Sequence, residues 1–174
     1  MRLGRQLLSA EAIQRRVQEL AVAVSRDYAA IDRPLILLSV LKGSVCFATD
    51  LSRHIEVPVN FDYVAVSSYG SGTESSGHVQ LLKDLTMDVA GRDVLMVEDI
   101  IDTGLTTSFL FEHVQRHRPS SLKLCVLLNK EERRIIPVPI AYKGFDIPNH
   151  FVVGYGLDYD ELFRNLTAVH ILEP

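Results

Sequence analysis

The hydrophobic positions of this chain form two patterns that alternate along the sequence. In residues 9–28, apolar residues recur at spacings of three and four with charged residues between them. This spacing predicts an amphipathic helix capped by Ser9. Residues 35–41, 94–97 and 122–128 are instead continuous apolar runs, which are typical of strands buried on both faces of a parallel sheet. The pattern favours an α/β fold with a mostly parallel central sheet flanked by helices.

The remaining segments add strands, a second helix and a polar loop. A helix is predicted after the first apolar run, through residues 47–54. Residues 57–66 alternate and are rich in β-formers, residues 79–82 continue as a strand, and residues 169–172 are predicted to be a terminal edge strand. The tract 67–78 is small and polar throughout, which indicates a loop.

The glycines of that loop do not match the common nucleotide-binding motifs. Position 75, where a dinucleotide-binding G-x-G-x-x-G motif would need glycine, is serine. A P-loop sequence is missing from the whole chain.

Length and composition limit the class of protein. A chain of 174 residues with 47% hydrophobic and 23% charged residues is most simply one globular domain, residues 1–174. The net charge of -4 argues against nonspecific nucleic-acid binding, which needs a basic surface. The sequence has no apolar run of signal-peptide or membrane-span length, and Cys46 and Cys125 both lie among apolar residues. We therefore expect a cytoplasmic protein without disulfides and without membrane or nucleic-acid partners.

Acidic residues follow the central apolar run. Glu98 and Asp99 come directly after residues 94–97, and Asp102 follows three positions later. Ligands of parallel sheets gather at the carboxyl ends of the strands. Carboxylates crowded there repel one another unless a cation or a hydroxyl-rich ligand shares the space. The alternative is that Asp102 or Thr103 only caps the next helix, which would explain one of these residues but not the group.

Two turns beside these acids are suited to phosphate groups. The turn 103–107 opens a helix, where free N–H groups and the positive end of the helix dipole favour an anion. Its predicted phosphate-binding members are Thr103, Gly104, Leu105 and Thr106. Lys42 and Gly43 form a second strand-to-helix turn, in which glycine permits close backbone approach and lysine adds a cation. The alternative, which is the weaker one even for this turn alone, is an ordinary connection with a solvated lysine.

His113 and His117 are four residues apart in the helix that follows the turn 103–107. That spacing can hold a metal ion on one helix face, but a third ligand is not evident from the sequence. We therefore interpret the pair as a solvated feature near the helix end.

Residues 98–106, Glu-Asp-Ile-Ile-Asp-Thr-Gly-Leu-Thr, resemble the phosphoribosyl-diphosphate signature of the type I phosphoribosyltransferases. Residues 150–164 are similar to the base-binding segment of the hypoxanthine-guanine phosphoribosyltransferase family in its compact bacterial form. The resemblance runs from about residue 35 to residue 164. It implies a small base-binding hood beside the sheet and transfer of a phosphoribosyl group to hypoxanthine or guanine. It also implies Mg²⁺, small-molecule substrates and a homodimer or homotetramer.

The same resemblance implies roles for individual residues. Asp102 is expected to be the general base near the purine N7, and Ser68 with Tyr69 is expected to belong to a lid. A cis peptide is expected between Leu41 and Lys42. Glu98, Asp99 and Asp102 are expected to bind the phosphoribosyl group, the first two at its ribose hydroxyls. The other expected contacts are Leu41, Lys42, Gly43 and Arg164 with diphosphate, Lys130, Phe151, Val152 and Asp158 with the purine, and Glu98, Asp99 and Asp158 with the metal.

Two alternatives remain from the sequence. A lysine at position 130 favours a 6-oxo base over adenine, but hypoxanthine, guanine and xanthine all satisfy it. A regulator that senses a nucleotide and binds RNA on the same fold is the alternative from another class. The acidic charge and the retained carboxylates count against that regulator.

Overall fold

The computed structural model of this chain describes residues 1–69 and 78–173. Its elements in chain order are β1 (Arg2–Leu8), α1 (Ala10–Asp27), β2 (Leu35–Leu41), α2 (Val45–His54), β3 (Val59–Tyr69), β4 (His78–Lys83), β5 (Asp93–Ile101), α3 (Leu105–Arg116), β6 (Ser121–Asn129), β7 (Ile140–Asp146), β8 (Val152–Val153) and β9 (Val169–Glu173). A short 3₁₀ helix, Glu131–Arg133, follows β6. None of the helices within residues 1–69 and 78–173 combines the length and the hydrophobicity that a membrane span requires.

Six strands form the central sheet in the order β4-β3-β2-β5-β6-β7. Every neighbouring pair is parallel except β3 and β4, which form an antiparallel hairpin. The α/β fold with a mostly parallel sheet is therefore confirmed. Because β2, β5 and β6 run in the same direction, their carboxyl ends lie along one edge of the sheet.

The sheet is buried on both faces, as the continuous apolar runs predict. Successive side chains of a strand point to opposite faces. Leu35 and Leu37 of β2 pack in the cluster with α1 and α2, whereas Ile36 and Leu38 pack in the cluster with α3. The helices thus cover both faces and leave the strand ends free. The N-cap of α1 is Ser9, whose Oγ accepts a hydrogen bond from the Ala12 N–H at 3.2 Å.

A second sheet of three strands, in the order β1-β9-β8, forms the hood. The prediction that residues 169–172 form an edge strand was wrong, because β9 lies between β1 and β8 and pairs with both antiparallel. β1 supplies the strand that the prediction lacked. Because β1 has arginines at positions 2 and 5 and no apolar run, its local sequence did not indicate a strand. β1 is held instead by antiparallel pairing with β9, which lies near the other end of the sequence.

Candidate active site

A cavity of about 660 Å³ opens where the strand ends of the central sheet face the hood. The residues predicted from the sequence that line it are Leu41, Lys42, Gly43, Glu98, Asp99, Asp102, Thr103, Thr106, Lys130, Phe151, Val152, Asp158 and Arg164. The fold thus brings together residues that are more than a hundred positions apart. Thr107, Arg133 and Asn149 also line the cavity, although no role was predicted for the last two.

Two predicted site residues, Gly104 and Leu105, are not among the described residues that line the cavity. Gly104 and Leu105 form the N-cap and first residue of α3, and Thr103 and Thr106 on either side of them line the cavity. Ser68 and Tyr69 are the last residues of β3. The remainder of the predicted lid, residues 70–77, lies outside the described residues.

The two adjacent acids lie inside β5, which continues to Ile101 rather than stopping where the apolar run ends. Glu98 is 5% exposed, and the Thr107 hydroxyl donates to its Oε1 at 3.4 Å. Burial, together with the neighbouring Asp99 charge, raises the pKa of Glu98 well above its ordinary value. Burial likewise raises the pKa of Asp99 to about 6, against the opposing effect of the Ile100 N–H. The neighbouring charges therefore do not fully offset the cost of burying either carboxylate in its ionised form.

Asp99 packs directly against the turn between β2 and α2. A Cβ atom on Gly43 would lie 1.7 Å from the Asp99 Oδ2, and a Cβ atom on Gly156 would lie 2.1 Å from the Gly43 carbonyl oxygen. Neither position has room for a side chain. The peptide bond between Leu41 and Lys42 is cis, as expected.

The turn into α3 has backbone N–H groups without a partner in the helix, beside the cavity-lining residues Thr103 and Thr106. Gly104, with φ of 86°, is the N-cap, and the first helical hydrogen bond runs from the Ser108 N–H to the Gly104 oxygen at 2.9 Å. The N–H groups of residues 104–107, which come before Ser108, therefore have no partner inside the helix. Thr103 Oγ1 accepts from the Leu105 N–H only at a long 3.4 Å, and Asp102 does not cap. The capping alternative thus explains little of this turn.

Asp102 is held by two arginines. The Arg133 Nε lies 2.8 Å from the Asp102 Oδ1, an ion pair without the alignment of a hydrogen bond. The Arg134 Nε donates to the Asp102 backbone oxygen at 3.1 Å, and its NH2 donates to Asn129 Oδ1. Arg134 is half-buried, whereas residues 131–133 are exposed.

Lys42 and Arg164, the two cations expected to bind diphosphate, are paired with acids of the hood. Lys42 Nζ lies 2.9 Å from the Glu161 Oε1, and both side chains are largely exposed. The Arg164 NH2 lies 2.8 Å from Asp158 Oδ1 and 3.3 Å from Glu161 Oε2. Glu161 therefore contacts both cations, a role that the sequence did not indicate.

The hood places an aromatic ring and a strand edge over the cavity. Phe151 is 48% exposed, and its ring meets Tyr159 edge-on with 5.8 Å between centroids. The Phe151 oxygen accepts from the Leu172 N–H at 2.9 Å. Because neighbouring residues of an antiparallel strand direct their backbone groups to opposite sides, the N–H and C=O of Val152 face away from β9. Lys130 is 7% exposed, and burial lowers the pKa of its ammonium group.

The predicted metal ligands all line the cavity, but they are too far apart to surround an ion by themselves. Within the described ranges, the oxygens of Glu98, Asp99 and Asp158 are not all within 4.8 Å of one another. Buried acids that lack a cation partner fit Mg²⁺, which commonly takes one or two carboxylates and completes its shell with substrate oxygens and water. By contrast, His113 and His117 do have a third neighbour, Asp84, contrary to the interpretation from the sequence.

Comparison with known proteins gives consistent matches along the chain. A family model described as a phosphoribosyl transferase domain matches residues 4–160. The chain is 53% identical to a hypoxanthine-guanine phosphoribosyltransferase of Mycobacterium tuberculosis, over 97% of this chain and 85% of that protein. It is 44% identical to a hypoxanthine-guanine phosphoribosyltransferase of Streptococcus thermophilus, over 96% and 92%. A crystal structure of a hypoxanthine-guanine phosphoribosyltransferase from Bacillus anthracis superposes with a TM-score of 0.93 at 44% identity, covering 99% of this chain and 100% of that one.

Proposed function

Because this chain belongs to the hypoxanthine-guanine phosphoribosyltransferase family, we propose that it transfers the phosphoribosyl group of phosphoribosyl diphosphate to hypoxanthine or guanine, giving IMP or GMP and diphosphate. This makes it a glycosyltransferase of purine salvage. The observation that supports this most is one cavity in which free helix amides, buried acids and an exposed aromatic ring meet.

The sugar phosphate occupies the sheet edge in this proposal. The turn 103–107 binds the 5′-phosphate, because its amides lack helical partners and the positive end of the α3 dipole points at the ligand. Thr103 and Thr106 add hydroxyl donors from the same wall. Glu98 and Asp99 accept hydrogen bonds from the ribose hydroxyls, which compensate for the burial of the two carboxylates.

The diphosphate lies between the β2–α2 turn and the hood. Lys42 and Arg164 bind it, exchanging their contacts with Glu161 for contacts with phosphate oxygens. Gly43 allows the backbone of this turn to approach the leaving group. Glu98, Asp99 and Asp158 are the residues that would hold Mg²⁺, and a bound ion supplies neutralisation of the diphosphate charge.

The purine stacks on Phe151, whose exposed ring faces the cavity. The outward N–H and C=O of Val152 bind the edge of the base, and Asp158 lies close enough to the cavity to accept from an exocyclic amino group. Lys130 donates to the O6 atom. Its lowered pKa follows from a buried site, where a hydrogen bond to a carbonyl oxygen is worth more than at the surface.

The reaction forms a bond from a purine ring nitrogen to C1 of the ribose. The bond from C1 to the diphosphate oxygen breaks, and its electron pair leaves with the diphosphate. Asp102 accepts the proton that the purine loses. Arg133, whose Nε lies 2.8 Å from the Asp102 Oδ1, competes with the purine for that oxygen.

We also propose that the chain acts in the cytoplasm as a homodimer or homotetramer, as the family resemblance implies. Light scattering coupled to size-exclusion chromatography distinguishes these assemblies from a monomer.

The direct test is a spectrophotometric assay with phosphoribosyl diphosphate and Mg²⁺, using hypoxanthine, guanine, xanthine and adenine in parallel. Turnover with hypoxanthine or guanine and not with adenine is expected. Preference for xanthine would reassign the base. An RNA filter-binding assay beside it tests the regulator alternative: RNA binding without turnover of any base would overturn the proposed function.

A further inference from the structure

The geometry points to a surface metal site outside the cavity: we propose that Asp84, His113 and His117 bind a divalent transition-metal ion of the Zn²⁺ class. Asp84 directly follows β4, and both histidines lie at the end of α3. One ligand atom from each residue can be chosen so that all lie within 4.8 Å of one another. This group is separate from the acids of the candidate active site.

The three side chains already face one another. The His113 Nε2 lies 2.7 Å from the Asp84 Oδ1, and the rings of His113 and His117 meet with 5.2 Å between centroids. A spacing of four residues places both imidazoles on one face of the helix. The Leu85 N–H donates to the same Asp84 oxygen at 2.7 Å, which orients the carboxylate toward α3.

The donor set indicates the class of ion. Two imidazole nitrogens and one carboxylate oxygen suit Zn²⁺ and similar transition metals, whereas Mg²⁺ prefers oxygen ligands alone. Tetrahedral Zn²⁺ with bonds of about 2.0–2.1 Å separates its ligand atoms by roughly 3.3–3.4 Å, with water completing the shell. The Asp84 side chain is 52% exposed and the histidines lie at a helix end, so a small rotation can widen the 2.7 Å contact to that separation.

The charge of the group also suits a cation. Asp84 is exposed, and an ionised carboxylate and neutral imidazoles are the forms of these side chains that bind metal ions. An ion here joins the end of the β3–β4 hairpin to the last turn of α3.

The test is competition for Zn²⁺ between the protein and a chromophoric chelator, with Mg²⁺ in excess to occupy oxygen-only sites. We expect one Zn²⁺ per chain, with the affinity reduced at least about 10-fold in His117→Gln and in Asp84→Asn. His54→Gln is the matched control, because His54 is also exposed at the end of a helix; it should bind Zn²⁺ like the unaltered chain.

A thermal-unfolding series gives a second readout on the same proteins. Zn²⁺ should raise the Tm of the unaltered chain and of His54→Gln but not of His117→Gln, since a ligand that binds only the folded state stabilises it. With chelator present, all three should unfold at similar temperatures. Unchanged Zn²⁺ affinity in His117→Gln or in Asp84→Asn would overturn the site.

Discussion

Asp102 lies where the end of β5 meets the phosphate-binding turn, and this position decides its proposed role. Its backbone oxygen is fixed by Arg134, and its carboxylate contacts Arg133 at the cavity wall. The carboxylate is thus held within the cavity, near the proposed base site and away from the helix cap. A residue so placed can take a proton without contributing much to ground-state binding.

Asp102→Asn should therefore lower kcat by roughly 10²–10⁴ while leaving the KM values for both substrates largely unchanged, because the amide keeps the shape but cannot accept the proton. Steady-state kinetics measures both quantities. Asp32→Asn, an exposed acid remote from the cavity, is the control. Unaltered turnover in Asp102→Asn would remove this residue from proton transfer.

Phe151 is a large apolar side chain that remains 48% exposed at the cavity, which suits a stacking surface better than a core residue. Phe151→Ala should weaken purine binding by roughly 1–3 kcal/mol, or roughly 5- to 150-fold, with little effect on phosphoribosyl diphosphate. Binding calorimetry with each ligand measures the difference. Leu162→Ala removes another exposed apolar group of the hood and should change neither affinity. Equal losses for both ligands in Phe151→Ala would indicate a purely structural role.

At the scale of elements, the β2–α2 turn is positioned by β5 and by the hood rather than by its own sequence. Gly43 contacts Asp99 on one side, and its carbonyl group contacts Gly156 on the other. The diphosphate-binding turn, the acids and the hood are therefore mutually dependent. A small shift in one displaces the others.

Gly43→Ala should lower kcat/KM for phosphoribosyl diphosphate on the order of 10²-fold, because the added Cβ would lie 1.7 Å from Asp99 Oδ2 and displace the turn. Gly91→Ala is the matched control. Gly91 has a φ of 65° but nothing within 4 Å of an added Cβ, so this change should cost about 1–2 kcal/mol of stability without reducing activity. Normal kinetics in Gly43→Ala would show that the turn tolerates displacement.

The elements that the sequence predicted are those with strong local patterns. The periodicity of α1 and the apolar runs of β2, β5 and β6 specify structure without distant contacts. β1 and β7 were not predicted, because β1 has no apolar run and both depend on pairing with partners supplied by the fold. The position of β9 between β8 and β1 was missed for the same reason.

In the candidate site, too, residues in local motifs were predicted, whereas residues placed by distant contacts were not. Residues in recognisable motifs, such as Glu98 and Thr106, were predicted and do line the cavity. Arg133 and Glu161 were not, because they lie in irregular segments where no spacing marks a functional position. Asp84 meets His113 only because the β3–β4 hairpin returns beside α3. Contacts between separate elements of this kind cannot be inferred from local sequence.

For the whole molecule, the buried acids make stability depend on pH. The pKa of Asp99 is raised to about 6 in the folded chain from an ordinary value of 3.8, and that of Glu98 is raised as well. The folded chain therefore binds these protons more tightly than the unfolded chain does. The free energy of unfolding should fall as pH rises from about 4 to about 6 and beyond, since ionised acids are buried without a cation.

Asp99→Asn should make the ligand-free chain more stable than the unaltered protein by about 1–3 kcal/mol at pH 8, with the advantage vanishing near pH 4. Urea denaturation between pH 4.5 and 8 without divalent ions measures this, and Asp32→Asn should follow the unaltered curve. The interpretation fails if Asp99→Asn has the same pH dependence as the unaltered protein.

The decisive measurement is a crystal structure of this chain with its proposed product nucleotide, IMP. The 5′-phosphate should lie within hydrogen-bonding distance of the amides of residues 103–107, with the ribose hydroxyls at Glu98 and Asp99 and the base stacked on Phe151. A nucleotide bound elsewhere, or a phosphate held by side chains while those amides bond to protein, would contradict it.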